Sequence, residues 1–341
     1  MNVFLEDIQA QPQALRDLAR MYEVGENAAL LAQFNSPRSL LLTGMGASFH
    51  AAAICAFTLQ HAGIAARAVE ASELLFYSTA LLQDVETVVF VSQSGASAEV
   101  LPVVELLAGR AHLVGVTNDP ASPLGQHAQV TLPLFAGFEH AVATRTYVNT
   151  LALLWLFSRQ LSGALNQNCF AHLRELADAG QTRIEQAEQG VAQWLDVLAP
   201  ARQIVFLGHG PHAITARHAA MMLSEWGKVA ATSANIGAFR HGLIESVDAD
   251  TGIVLFAPNG RGTASTLALA DELRGYGAQV LCIEYGQVQQ NNGPVRPAFE
   301  RDEFLAPLLD AVAAQLFVEA LARQRGVPAG FRYISKVVSR L

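Results

Sequence analysis

Directly behind the apolar run Val88-Val89-Phe90-Val91 stand Ser92, Gln93, Ser94, Gly95, Ala96 and Ser97. A strand that ends in such a loop and restarts as a helix offers hydroxyls, an amide and unpaired backbone N–H groups at one point, which suits a phosphate. The same serines suit a plain helix cap, so the loop alone leaves both readings open. A second candidate is Glu225, with Met221 and Met222 one helical turn before it. A carboxylate held among apolar neighbours loses hydration, and its pKa rises toward the range of a general base. The other reading of that spacing is an i,i+3 pair with Lys228 on a solvated face. His241, between Arg240 and Gly242, reads by itself as a loop residue, and the basic stretch 328–341 with Lys336 as a fraying end.

These groups need elements to position them, and internal similarity supplies those elements. Ser39-Leu40-Leu41-Leu42-Thr43-Gly44-Met45-Gly46 is an apolar strand pattern ending in Gly-x-Gly, and it recurs as Gln203-Ile204-Val205-Phe206-Leu207-Gly208-His209-Gly210. Each is followed by an Ala-rich helical stretch, 48–61 and 212–226. The segment 87–95 (TVVFVSQSG) matches 252–260 (GIVLFAPNG), and 112–119 matches 279–284. Unbroken apolar strands alternating with helices predict parallel sheets covered on both faces, with ligands at the carboxyl ends of the strands. The expected organisation is a helical extension over 1–34, a first α/β domain over 35–165, a helical connector over 166–199, a second α/β domain over 200–327 and a tail over 328–341. A dinucleotide fingerprint is excluded, because Phe49 and Ala213 stand where its third glycine would be.

Composition narrows the classes further. With 22 Lys and Arg against 30 Asp and Glu, the formal net charge is -8, so nucleic acid is not an expected partner. Hydrophobic residues make up 51% of the 341, enough for a large core, but the longest apolar run, 151–157, is too short to span a bilayer, and no membrane association is expected. Cys55, Cys169 and Cys282 are too scattered for a metal site or a disulfide framework. The amino-terminal residues lack the basic start and apolar core of a secretory signal, so a cytoplasmic protein is expected.

The Gly-Met-Gly-Ala-Ser turn at 44–48, the Ser-Gln-Ser-Gly-x-Ser loop at 92–97 and Arg-His-Gly at 240–242, on tandem α/β copies, resemble the tandem sugar isomerase (SIS) domain family. Within it the chain is similar to the isomerase half of glucosamine-6-phosphate synthase. A nucleophilic amino-terminal cysteine and room for the glutaminase half are both lacking, so ammonia from glutamine is not expected. The resemblance implies two three-layer α/β/α SIS domains. It implies that Ser48, Ser92, Gln93, Ser94 and Ser97 hold the phosphate, that Gly46 and Ala47 also bind the substrate, and that Val142 and Thr144 contact the sugar. Arg145 and Thr146 stand where the family often carries a lysine. The second copy has Ala257-Pro258-Asn259-Gly260 in place of the serine loop, which confines the phosphate to the first copy.

For the chemistry, the resemblance implies that Glu225 is the base moving a proton between C1 and C2 and that His241, donated by a neighbouring subunit of a homodimer, helps open the ring. Lys336 matches a family lysine that enters the active site from the tail, which would then pack down through its flank 331–335. Met222 and Ser224 replace two family lysines, and Arg240 and Leu243 replace a lysine and a proline. The expected activity is isomerisation or deamination of a 6-phosphorylated amino sugar or ketose with no metal or other cofactor. Glucosamine-6-phosphate deaminase ranks first, a fructosamine-6-phosphate deglycase second, and a sugar-phosphate-binding regulator without turnover third.

Overall fold

A computed structural model describes residues 2–35, 37–288 and 302–338. Its chain forms two compact units that interleave in sequence. One comprises Gln13–Glu139, Arg145–Arg174 and Arg332–Leu341, and the other Met1–Pro12, His140–Thr144 and Glu175–Phe331.

In chain order, the amino-terminal helices are α1 (Val3–Gln9), α2 (Gln11–Glu23) and α3 (Glu26–Ala32). The first sheet follows, with β1 (Leu40–Gly44), β2 (Ala66–Glu70), β3 (Thr87–Val91), β4 (His112–Thr117) and β5 (Val130–Pro133) in the order β2-β1-β3-β4-β5. All its pairings are parallel. β1 and β3 are buried at every position, as continuous apolar runs demand of a sheet covered on both faces. The covering helices are α4 (Gly46–His61), α5 (Ala71–Phe76), α6 (Val100–Leu107), α7 (Pro123–His127) and α8 (Arg145–Leu161). One face packs Leu41, Val88 and Phe90 against Val100, Val103 and Leu107 of α6. Helix α2 is tied in by Tyr22, whose hydroxyl donates to the Pro133 carbonyl at 2.9 Å, and by Glu23, 2.7 Å from Arg174.

Helices α9 (Gln167–Glu185) and α10 (Ala187–Leu198) follow, and the division between the two units falls within α9, between Arg174 and Glu175. The second unit holds β6 (Gln203–Gly208), α11 (Pro211–Glu225), β7 (Ala231–Asn235), α12 (Ile236–Arg240), β8 (Thr251–Phe256), α13 (Thr263–Gly275), β9 (Gln279–Glu284), β10 (Gln287–Val288) and α14 (Ala306–Gln324). The strand order is β10-β9-β8-β6-β7, parallel except for β10, a two-residue edge antiparallel to β9. Helix α14 is buried from Ala306 to Ala322. Residues 140–144 join this unit through Asp7, whose Oδ2 accepts the N–H groups of His140 at 2.7 Å and Ala141 at 2.8 Å.

The two sheets repeat one plan, as the internal similarity predicts: a central strand ending in glycine, β1 or β6, neighbours a strand that ends in a loop feeding a helix, β3 or β8.

Candidate functional site

In the first unit Gly44 pairs with Val91 across β1 and β3, so the turn after β1 and the loop after β3 leave the sheet side by side. A Cβ on Gly44 would lie 2.7 Å from the Val91 carbonyl oxygen and 3.2 Å from the Phe49 nitrogen, an approach only glycine permits. Gly46, at φ +52, then opens α4, with Ala47 and Ser48 half-buried in its first turn.

The serine loop is pinned from beneath. Ser92, buried, donates its N–H to the Val116 carbonyl at 3.0 Å. The Gln93 carbonyl accepts from the Asn118 N–H at 2.9 Å and from the Thr117 hydroxyl at 3.2 Å. Gly95 sits at φ +62, where a Cβ would lie 1.9 Å from Ser122 Oγ, and its carbonyl accepts from the Leu124 N–H at 2.9 Å. The side chains of Gln93, Ser94 and Ser97 remain partly exposed, and Ser94 Oγ accepts the Ala96 N–H at 3.3 Å. The first turn of α4 carries no acid, so its positive dipole end is open to an anion, whereas α6 has Glu99 as its N-cap. The fold thus brings Gly46, Ala47, Ser48, Ser92, Gln93, Ser94 and Ser97 to the carboxyl end of two adjacent strands in one unit. Just past them is Glu99, which the sequence reading did not single out. It is buried, and its Oε2 has no hydrogen-bond partner among the described residues.

Lys336 belongs to the same unit. Its Nζ donates to the Glu139 carbonyl at 2.6 Å and lies 3.2 Å from Glu139 Oε2, and Ala98 donates its N–H to the Val338 carbonyl at 3.0 Å. The tail is held by these contacts and not by its aromatic flank, for Tyr333 is 94% exposed and Ile334 also points out. Residues 339–341 of the expected tail lie outside the described residues.

The other candidates fall in the second unit. Val142 and Thr144, expected to touch the sugar, are both buried. Glu225 is the last residue of α11 and half-buried; Met222 beside it is buried, as is Trp226, whose ring lies 4.9 Å from that of Phe4. Lys228, at φ +54, donates its ammonium to the backbone carbonyls of Glu225 and, at 2.8 Å, Gly330. His241 caps the end of α12 and is exposed, with its N–H on the Ala238 carbonyl at 3.1 Å. Arg240 is 2.7 Å from Glu272. The Tyr276 hydroxyl and the Arg240 guanidinium together hold the Glu272 carboxyl below its usual range.

The loop of the second copy is closed to an anion by the chain's own oxygens. Asn259 donates its N–H to Glu284 Oε1 at 2.7 Å, Gly260 to Thr263 Oγ1 at 2.7 Å and Arg261 to Glu303 Oε2 at 3.3 Å. His212, at the position matching Ser48, is fully buried with neither ring nitrogen hydrogen-bonded among the described residues, and burial pushes its pKa down to about 3, leaving a neutral ring. Its neighbour His209, 3.3 Å from Ser265 Oγ, is also lowered by burial. Among the described residues no group of His, Cys, Asp and Glu is arranged to hold a metal ion, and no helix is long and apolar enough to cross a membrane.

The isomerizing glutamine–fructose-6-phosphate aminotransferase of Shouchella clausii is 26% identical over 337 residues, 95% of this chain and 56% of that protein. Its counterpart from Aeropyrum pernix is 31% identical over 303 residues, 84% of this chain and 48% of that protein. The chain therefore spans about half the length of the curated relatives it matches. Among solved structures, glucosamine-6-phosphate deaminase from Thermotoga maritima superposes with a TM-score of 0.81 at 22% identity, covering 98% of this chain and 99% of that one. Tagatose-6-phosphate ketose/aldose isomerase from Escherichia coli does so at 0.79 and 20%, covering 96% and 95%; both share the fold. The SIS domain model matches residues 33–158 and again 197–318, and the chain belongs to the SIS domain family.

Proposed function

We propose that this chain converts a 6-phosphorylated amino sugar by moving a proton between C1 and C2, with release of the amine as ammonia. The observation that carries the reading is the serine loop: hydroxyls and an amide held on a pinned backbone, in one copy only. Ser48, Gln93, Ser94 and Ser97 would hold the phosphate and so fix the distal end of the sugar. The second copy, with its loop donors already bonded to Glu284, Thr263 and Glu303, has no matching place for a phosphate.

In this reading Glu225 takes the proton from one carbon and returns it to the next, passing through an enediol-type or enolamine intermediate. Glu225 is half-buried at the end of α11, beside buried Met222 and Trp226. His241 assists ring opening. An exposed histidine serves that purpose once a second copy of the chain brings it to a sugar, so the active form is proposed to be a homodimer that shares residues across its interface. The substrate assigned first is glucosamine 6-phosphate, which with water yields fructose 6-phosphate and ammonia.

The test is turnover. Purified protein is incubated with glucosamine 6-phosphate, fructosamine 6-phosphate adducts of amino acids, and tagatose 6-phosphate, with ammonia, free amino acid and ketose phosphate assayed. Ammonia and fructose 6-phosphate from the first substrate support the assignment. Release of an amino acid from the second moves it to a deglycase. Binding of all with turnover of none refutes an enzyme and leaves a regulator.

A further inference from the structure

The carboxylate of Glu139 is wholly inaccessible to solvent and takes hydrogen bonds from Thr146 twice, from its N–H at 3.1 Å and its hydroxyl at 2.8 Å. Those bonds fix it at the first turn of α8. A third donor comes from far along the sequence: Lys336 Nζ, 3.2 Å from Oε2 and 2.6 Å from the same residue's carbonyl oxygen. Two residues on, the Val338 carbonyl accepts the N–H of Ala98, which directly follows Ser97. The segment between is otherwise turned outward, with Arg332, Tyr333, Ile334 and Ser335 all exposed. Of its apolar residues only Val337 is half-buried, so little apolar burial accounts for its docking.

We propose that Glu139 is a positioning residue that acts through Lys336: the buried pair is the latch that keeps residues 332–338 docked on the segment following the serine loop. A buried carboxylate left without its cation is strongly unfavourable, whereas loss of both charges together is tolerated far better. The latch therefore has a signature in double substitution that a helix cap or a lone surface lysine lacks. It also constrains any part Lys336 takes in chemistry, because two of the three N–H donors of its ammonium are directed at the carbonyl oxygen and Oε2 of Glu139. The latch itself does not depend on the phosphosugar reading, and no ligand enters its test.

The experiment is chymotryptic cleavage after exposed Tyr333 in the full-length protein, followed by mass spectrometry under native conditions. A docked segment must detach before a protease can thread it. Glu139→Gln and Lys336→Met are each expected to raise the cleavage rate tenfold or more, and the double variant to fall well short of the product of the two. Lys336→Arg, which keeps the cation, is expected to stay within threefold of wild type. Lys336→Met leaves the Thr146 contacts untouched, so it reports on the latch even if Glu139→Gln disturbs α8. Multiplying effects in the double variant, a Lys336→Met rate equal to wild type, or Lys336→Arg cleaved as fast as Lys336→Met would each overturn the proposal.

Discussion

Replacing Gly95 by alanine tests whether the serine loop needs the backbone that presents its donors. Two costs are legible. At φ +62 an L side chain meets the left-handed penalty, roughly 1–2 kcal/mol. The new Cβ would lie 1.9 Å from Ser122 Oγ, 2.6 Å from Ser122 Cβ and 2.9 Å from Thr117 Oγ1. Ser122 is the N-cap of α7, with its Oγ accepting the Gly125 N–H at 3.3 Å; pushing that hydroxyl aside forfeits a cap worth about 1 kcal/mol. Gly95→Ala is therefore expected to destabilise by about 2–3 kcal/mol and to weaken sugar-phosphate binding, because the loop must move to admit the methyl. The second half of the experiment is Ser122→Gly, which removes both nearest atoms while costing the cap only a few tenths of a kcal/mol. In the double variant the left-handed penalty and the Thr117 contact remain, but the cap displacement does not add. Urea denaturation of the four proteins should give an interaction of about 1 kcal/mol favouring the double variant, with part of the ligand affinity restored in calorimetry. Additive effects, or a Gly95→Ala protein within 0.5 kcal/mol of wild type by the size usual for neutral surface changes, would refute the loop geometry argued above.

Three further outcomes are expected. Glu225→Gln should lower turnover by about 10² or more with little change in ligand affinity; normal turnover would make Glu225 structural. Glu225→Gln and His241→Ala homodimers, each nearly inactive, should regain roughly a quarter of wild-type activity when refolded together, since about half the dimers are mixed and each carries one intact site; no recovery would place both residues in one chain's site. Buried Asp310, whose Oδ1 accepts the Gly286 N–H at 2.7 Å, has its pKa raised by burial from 3.8 to about 8. The folded state thus favours the acid, a contribution complete below pH 3.8 and lost as pH climbs through 8. Wild type should accordingly lose stability relative to Asp310→Asn between about pH 4 and 8, by up to ~1.4 kcal/mol per pH unit. Denaturation midpoints at pH 5 and pH 8 that keep a constant gap would overturn this.

What the sequence made legible is what local pattern can carry. The buried runs of β1, β3, β6 and β8 announced themselves as unbroken apolar stretches, and their repetition gave the tandem plan. The edge strands β2 and β7 did not, for Ala66–Glu70 and Ala231–Asn235 are half-exposed and chemically mixed. The serine loop was readable because its residues are adjacent in sequence. The pair Glu139 and Lys336 was not, since an ion pair between distant residues leaves no spacing to notice. Nor could Ala-Pro-Asn-Gly disclose that Glu284 and Glu303 would occupy its donors. His212 opens an Ala-rich helix whose pattern hides which side its first turn buries, so its desolvation appeared only with the fold. Of the flank 331–335, whose apolar content reads as packing, Phe331 is half-buried but 332–335 are exposed, and a charge beyond them, Lys336, makes the contact with Glu139.

The separation of 197 residues between Glu139 and Lys336 has a meaning in time. During synthesis at about 5–20 residues per second, a ribosome needs roughly 10–40 s to travel from one to the other. Throughout that interval Glu139, already translated, lacks the lysine that the finished fold sets against its carboxylate. The nascent first unit is therefore expected to resemble the Lys336→Met protein, opening locally around α8 more readily than the finished one. Completion of this unit is then tied to the arrival of the last segment described, and the part of the protein that is made first is among the last to reach its final form.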